Sequence, residues 1–286
     1  MEYYGVDLSH WNGTVDFTKF DKSFVIAKLS QAQYKDPNFE TYYSSCKVPF
    51  GAYIYNKVKN VAEAQKEAQF AVEQLKGRKL ALGVWLDLED ASMQKLGKNV
   101  LTAIIEAEAG ILRNAGYSVG IYCNRSWYLN VLDSANLSND FPFWIARYPS
   151  ADNGTVKQSL NPSTLKGCVM WQYSSKGKVN GIAGNTDLDV AFVNPVSFFS
   201  LYDKVDASAL PSTSTKPTLK MGSRNDYVKA WQEYLNTLGF NLVVDGQFGI
   251  NTKNAVIEFQ KKAFPNEPKE WDGVIGNKTW AMVGKI

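Results

Sequence analysis

The first ~200 residues alternate between two hydrophobic periods, the mark of alternating strands and helices. Eight short runs, at 3–9, 24–29, 50–55, 82–88, 118–123, 143–147, 168–173 and 186–190, are rich in β-branched and aromatic residues, which favour strands. Between several of them the apolar positions change spacing. Val61, Ala64, Ala68, Ala71, Val72 and Leu75 form one set, and Leu101, Ile104, Ile105, Ala109 and Leu112 another. Both fit a period near 3.6 and predict amphipathic helices. Strands alternating with helices predict a parallel sheet. Eight of them predict an α/β chain folded as a compact, somewhat irregular TIM-like (β/α) barrel. The spans 124–167 and 174–185 read as loops rather than full helices.

The pattern changes after residue 202. Residues 203–218 are small, polar and punctuated by Pro211 and Pro217, a linker composition. Beyond it Val228, Trp231, Leu235 and Leu238 lie on one helix face, with Gly239 as a stop. Ala255, Val256 and Phe259 mark a second helix, and Trp280 lies in a third. Two segments, 245–252 and 272–279, share the pattern D-G-x-x-G-x-x-T. Asp-Gly makes a turn, and Asn251 or Asn277 is placed to cap the helix that follows. Neither segment has the acidic ladder of an EF-hand. The expected organisation is a barrel over 1–202, a linker over 203–218 and a small all-α three-helix domain over 219–286.

Polar residues sit late in the predicted strands: Asp7, Tyr55, Asp87 with Glu89, Tyr122, Arg147, Trp171 with Tyr173, and Asp187. In a parallel barrel that end carries the active site. Composition then narrows the chemistry. The chain has 286 residues, one histidine and three cysteines, so any Ser-His-Asp or Cys-His arrangement must use His10. Cys46, Cys123 and Cys168 are far apart, with no C-x-x-C and no H-E-x-x-H, so no metal site, cofactor or disulfide framework is expected. The net charge of +3 comes without the basic patch of a nucleic-acid binder, although it suits an anionic surface such as a cell wall. The first residues lack the basic and apolar regions of a signal peptide. No window is long and apolar enough for membrane insertion. The 28 Asp and Glu remain as the candidate workers.

Residues 84–90, V-W-L-D-L-E-D, end the fourth strand. Alternation puts Trp85, Asp87 and Glu89 on one face. Two enclosed carboxylates raise each other's pKa, so one can stay protonated and act as an acid, as glycosidic bond cleavage requires. The same acidic strand end could instead cap the next helix. Asp7 in the first strand and Asp187 in the last are neighbours in a closed barrel, making four carboxylates at one rim. Tyr55, Tyr122, Trp144, Trp171, Tyr173 and Arg147 are the candidate sugar contacts there, with core packing the alternative role for the aromatics. His10 reads as a rim residue without a catalytic role.

The segments 7–13 (D-L-S-H-W-N-G), 87–89 (D-L-E), 171–173 (W-Q-Y) and 187–189 (D-L-D) together resemble family 25 glycoside hydrolases, muramidases of the Chalaropsis type. The C-terminal segment resembles peptidoglycan-binding domain 1, and the whole resembles a phage endolysin or bacterial autolysin. The resemblance implies hydrolysis of the β-1,4 bond between N-acetylmuramic acid and N-acetylglucosamine, with bacterial peptidoglycan as partner. It implies Glu89 as general acid/base, Asp87 as the second carboxylate, and Asp7 and Asp187 as further acids. Many relatives carry Asn where this chain has Asp189, so no role is carried over there. Family 18 chitinases also end strand four in D-x-E, but their longer signature needs Asp at 82 and 85, where Leu82 and Trp85 stand. The alternatives are a wall-binding protein without turnover and a glycosidase acting on chitin-like glycans. An endolysin of this kind is expected to stay in the host cytoplasm until lysis, and an autolysin to leave by a non-Sec route.

Overall fold

The computed structural model describes residues 2–76, 78–194, 196, 217–240, 242–280 and 282–283. Most of the expected linker, 203–216, lies outside the described residues. The chain divides into two compact units, 1–207 and 208–286, described separately below.

The first unit is built on a closed sheet. Its strands are β1 (Tyr3–Leu8), β2 (Phe24–Gln31), β3 (Tyr34–Lys35), β4 (Phe50–Tyr55), β5 (Val84–Asp87), β6 (Val119–Asn124), β7 (Phe143–Ala146), β8 (Cys168–Gly177) and β9 (Thr186–Ala191). Its helices are α1 (Phe39–Ser45), α2 (Val61–Leu75), α3 (Lys98–Asn114), α4 (Arg125–Asn130) and α5 (Ser134–Leu137). Neighbours pair in the order β1-β2-β4-β5-β6-β7-β8-β9, and β9 returns to β1, so eight strands close a barrel. β3 is a two-residue addition hairpinned onto β2.

Every pairing from β1 through β8 around the barrel is parallel. β9 is antiparallel to both β8 and β1, which corrects the expectation of an all-parallel sheet. The cause is the length of the connection. Only residues 178–185 separate β8 from β9, whereas a parallel crossover needs roughly a dozen residues or more. The span 124–167, expected to hold loops rather than full helices around its strand, contains β7 and the short helices α4 and α5. Both are too short to display a 3.6 period. Asn124 starts α4 by accepting a hydrogen bond from the backbone N–H of Trp127 at 3.0 Å, the usual N-cap contact.

Strand alternation sorts the apolar residues into two cores. Outward residues such as Val25, Ala27, Ile54, Val84 and Leu86 pack against Ala64, Ala68 and Leu75 of α2 and Leu101, Ile105 and Leu112 of α3. Inward residues Phe24, Ile26, Trp85, Trp144 and Met170 plug the barrel. Two strand glycines make room for that plug. A Cβ on Gly5 would lie 2.3 Å from the Phe24 ring, and one on Gly120 would lie 2.5 Å from the Trp85 ring. The aromatic plug fills one end of the barrel, and the inward polar residues gather at the other.

In the second unit α6 (Asp226–Thr237), α7 (Ile250–Ala263) and the single turn α8 (Asn277–Trp280) enclose Trp231, Leu235, Phe248, Val256, Phe259 and Ile275. The repeated D-G-x-x-G-x-x-T loops are each held by one buried glutamine. Gln232 Nε2 donates to Asp245 Oδ1, the Gln247 carbonyl and Thr252 Oγ1, while its Oε1 accepts from the N–H groups of Asp245 and Gly246. Gln260 Nε2 repeats the pattern with Asp272, Val274 and Thr279, and its Oε1 accepts from Gly273. The positions shared by the two loops thus satisfy a buried amide. Asn251 does not cap its helix: α7 begins after Gly249, with no side-chain cap. Asn277 is the first residue of α8.

Candidate active site

One end of the barrel opens into a cavity lined by Asp7, Ser9, Trp11, Lys28, Tyr53, Tyr55, Asp87, Glu89, Tyr122, Trp144, Gln172 and Asp187. All four sequence-derived acids are in that set, as are Tyr55, Tyr122 and Trp144. β1 carries Asp7 and β9 carries Asp187 directly opposite it in register. β5 ends at Asp87, flanked by Tyr55 on β4 and Tyr122 on β6. Glu89 follows two residues later and reaches solvent at the cavity mouth. Asp187 is the second residue of its strand, not a late one. It reaches the same rim because β9 runs the other way.

A hydrogen-bond chain orients the floor. Tyr122 donates its hydroxyl to Gln172 Oε1 at 2.7 Å, and Tyr148 donates to the same oxygen. With Oε1 so engaged, the amide nitrogen turns to Asp7 and donates to Oδ2 at 2.5 Å. Trp144 Nε1 donates to Asp189 Oδ1 at 2.9 Å, so Asp189 is a fully buried companion beneath the four acids. Asp87 Oδ1 is buried without a hydrogen-bond partner among the described residues.

The electrostatics follow from crowding carboxylates in a low-dielectric site. Burial pushes Asp87 well above the usual carboxylate range, and Glu89 adds to the rise. Lys28 opposes it. Burial also raises Asp7, reinforced by Asp187 and Asp189 and opposed by the Gln172 hydrogen bond. Asp187 is pushed up to about 6 by burial, then by Glu89 and Asp152. Glu89 is raised by the surrounding protein and by Asp90, with Lys28 opposing. Lys28 is itself lowered by burial and donates to Gln31 Oε1 at 2.6 Å. A Glu raised in this way keeps its proton to higher pH than an ordinary carboxylate, which suits delivery of that proton to a leaving oxygen.

Trp171, Tyr173 and Arg147 do not come to the cavity. Met170 and Gln172 face inward, so parity turns Trp171 and Tyr173 outward. Trp171 is buried in the outer core and donates Nε1 to the Arg147 carbonyl at 2.9 Å. Tyr173 packs edge-on against Tyr4 and Trp171. The Arg147 guanidinium donates to the Leu160 carbonyl at 3.0 Å. Conversely Lys28, Gln172, Tyr148 and the exposed Trp11 carry no sequence expectation, whereas Tyr53 reads as an aromatic of packing or sugar-stacking role and lines the cavity. Parity carries a signal for two of the four: Lys28 lies in phase with Phe24 and Ile26, and Gln172 with Met170. His10 Nδ1 lies 2.8 Å from Asp36 Oδ2, and its ring packs against Trp11. It is outside the cavity lining.

Residues 6–182 match the family model described as glycosyl hydrolases family 25, and 224–283 match a peptidoglycan binding domain model. An autolytic lysozyme of Clostridium acetobutylicum is 28% identical over 264 residues, which cover 90% of this chain and 72% of that protein. The solved catalytic domain of an endolysin from bacteriophage P40 of Listeria monocytogenes superposes with a TM-score of 0.59 at 25% identity, covering 70% of this chain and 97% of that one. A modular autolysin of Streptococcus pneumoniae shares the fold with a TM-score of 0.58 at 22% identity; the match covers 67% of this chain and 47%, about half, of that one.

Proposed function

The chain belongs to glycosyl hydrolase family 25 and is a glycoside hydrolase of the lysozyme type, and we propose that it hydrolyses the β-1,4 bond between N-acetylmuramic acid and N-acetylglucosamine in peptidoglycan. The observation that carries this reading is the convergence of Asp7, Asp87, Glu89 and Asp187 on one cavity. Glu89 protonates the leaving oxygen and then activates water. Asp87 steers the substrate's own 2-acetamido group rather than attacking the sugar itself. Its unpartnered, buried Oδ1 supports that role, because it offers an acceptor to an incoming N–H. Asp7, held by Gln172, and Asp187 set the potential in which both groups titrate. Tyr55, Tyr122 and Trp144 contact the sugar. No metal or cofactor enters this scheme.

We read the barrel as TIM-like, with its eighth strand reversed by a short return connection. Residues 1–202 then form the catalytic module, 203–218 a linker and 219–286 a three-helix wall-binding module. Among the described residues no helix is long and apolar enough to cross a membrane. The protein acts at the cell wall.

The first test is Glu89→Gln, which should abolish turbidity loss of purified cell walls while leaving pull-down by those walls intact. Lysis at the wild-type rate would overturn the role of Glu89. Mass spectrometry of the digest decides the bond. Reducing muramic acid ends are expected, whereas reducing glucosamine ends or freed peptides would overturn the muramidase reading.

A further inference from the structure

Behind the cavity, between the barrel wall and its helices, lies a pair of side chains sealed from water. Asn56 follows Tyr55 at the end of β4, Glu108 lies on α3, and both are 0% exposed. Asn56 Nδ2 donates to Glu108 Oε2 at 2.7 Å. Their other two oxygens, Asn56 Oδ1 and Glu108 Oε1, are also buried and have no partner among the described residues. An ionised Glu108 would be a buried charge without a counter-ion among the described residues, and Asn56 Oδ1 would be left without a donor, both unfavourable in a dry site. A neutral carboxylic acid has one O–H to give, and the Asn56 amide oxygen is an acceptor without a partner.

We propose that Glu108 is kept as a neutral acid that closes a two-bond ring with the Asn56 carboxamide, and that this ring positions the strand end carrying Asp87 and Glu89. The link to the site is a clamp on one peptide. The Asn56 N–H donates to the Asp87 carbonyl at 3.0 Å, and on the other side the Leu88 N–H donates to the Tyr122 carbonyl at 2.9 Å. The Asp87–Leu88 peptide is therefore gripped from β4 and β6, and Glu89 is the next residue. Locking Asn56 to α3 fixes one jaw of that grip. Asn56 and Glu108 are positioning residues in this scheme, since neither lines the cavity.

Electrostatics agree with the geometry. Burial pushes Glu108 up to about 8, the Asn56 hydrogen bond opposes this, and Glu67 on α2 adds to it. Among the described residues Glu67 is the charged group whose field raises Glu108, and its oxygens are engaged by Ser30 Oγ at 2.9 Å and the Gln33 N–H at 2.7 Å. In the unfolded chain Glu108 titrates near ~4.3. The native state therefore holds a proton that the unfolded state has released, and the contribution is fully present below the unfolded value and lost as pH rises through about 8.

The proposal rests on the reading of Glu89 as the acid for its catalytic half only, and the test separates the two. Infrared difference spectra of the full chain, wild type minus Glu108→Gln, should show the C=O stretch of a neutral carboxylic acid at pH 6 and lose it at pH 10. Absence of that band at pH 6 overturns the neutral acid, whatever the activity. Glu108→Gln keeps both bonds of the ring, so its kcat at pH 7 should stay within about twofold of wild type and its melting temperature should fall less between pH 7 and 9 than the wild type's does. Glu108→Met breaks the ring and should lower kcat by about tenfold or more with little change in KM, because small misplacements of reacting groups are costly. Wild-type turnover by a folded Glu108→Met variant overturns the positioning role. If that variant does not fold, a kcat for Glu108→Gln reduced beyond about tenfold does the same.

Discussion

Asp187 shows at the scale of one residue how the site trades stability for chemistry. Its carboxyl is pushed up to about 6, chiefly by burial and then by Glu89 and Asp152. An unfolded Asp titrates near ~3.9, so the native state retains protons that the unfolded chain has lost in the interval between. Its favourable contribution is complete below pH ~3.9 and is lost as pH rises through about 6. Asp187→Asn should therefore raise stability at pH 7.5 by roughly 1–2 kcal/mol, a figure discounted for its part exposure. The gain should shrink towards pH 4, and wall lysis should fall. Thermal melts of both proteins at pH 4 and 7.5 check this; a gain that is equal at the two pH values would show that the charge is not responsible. The four acids were legible because each lies near a strand end in a short motif. Gln172 was not, because its role depends on two phenols, Tyr122 and Tyr148, that only the closed barrel brings to its amide oxygen.

At the scale of elements, parity and connection length decide most of what the site contains. Trp171 and Tyr173 read as rim residues and do share one strand face. The phase of β8, with Met170 and Gln172 inward, turns that face to the outer core. The reversal of β9 was legible in principle from the short segment before it. It also explains why an acid at the start of that strand meets one at the end of β1. Close packing inside the barrel makes a second demand on sequence, met by Gly120 beneath Trp85. Gly120→Ala would set a methyl 2.5 Å from that ring. The expected cost is about 1–3 kcal/mol, read as a lower melting temperature with a changed tryptophan near-ultraviolet signal. An unchanged melting temperature would mean that the ring moves freely and that the plug is not tightly packed.

The whole molecule joins a carboxylate-lined barrel to a module organised around Gln232 and Gln260. In the wall-binding reading, the second unit concentrates the enzyme on an insoluble polymer and leaves the chemistry alone. Truncation at about residue 210 should leave a folded barrel with weaker affinity for purified walls, as a tethered second site raises effective concentration. Co-sedimentation measures it, and equal binding by the truncated form would remove the targeting role. The sequence alone determined the α/β alternation, the shift in composition near residue 203, the four acids and the repeated D-G-x-x-G-x-x-T loops. These are local properties, written in period, composition and spacing within a few residues. Tertiary structure alone decided the two phenols that engage the Gln172 amide oxygen, the exclusion of Trp171, Tyr173 and Arg147, the pairing of each repeat loop with a distant glutamine, and the burial of Glu108 against Asn56. Those depend on which groups meet across strands and helices after closure. A polar side chain's partners, and the water it loses, come from chain segments dozens of residues away.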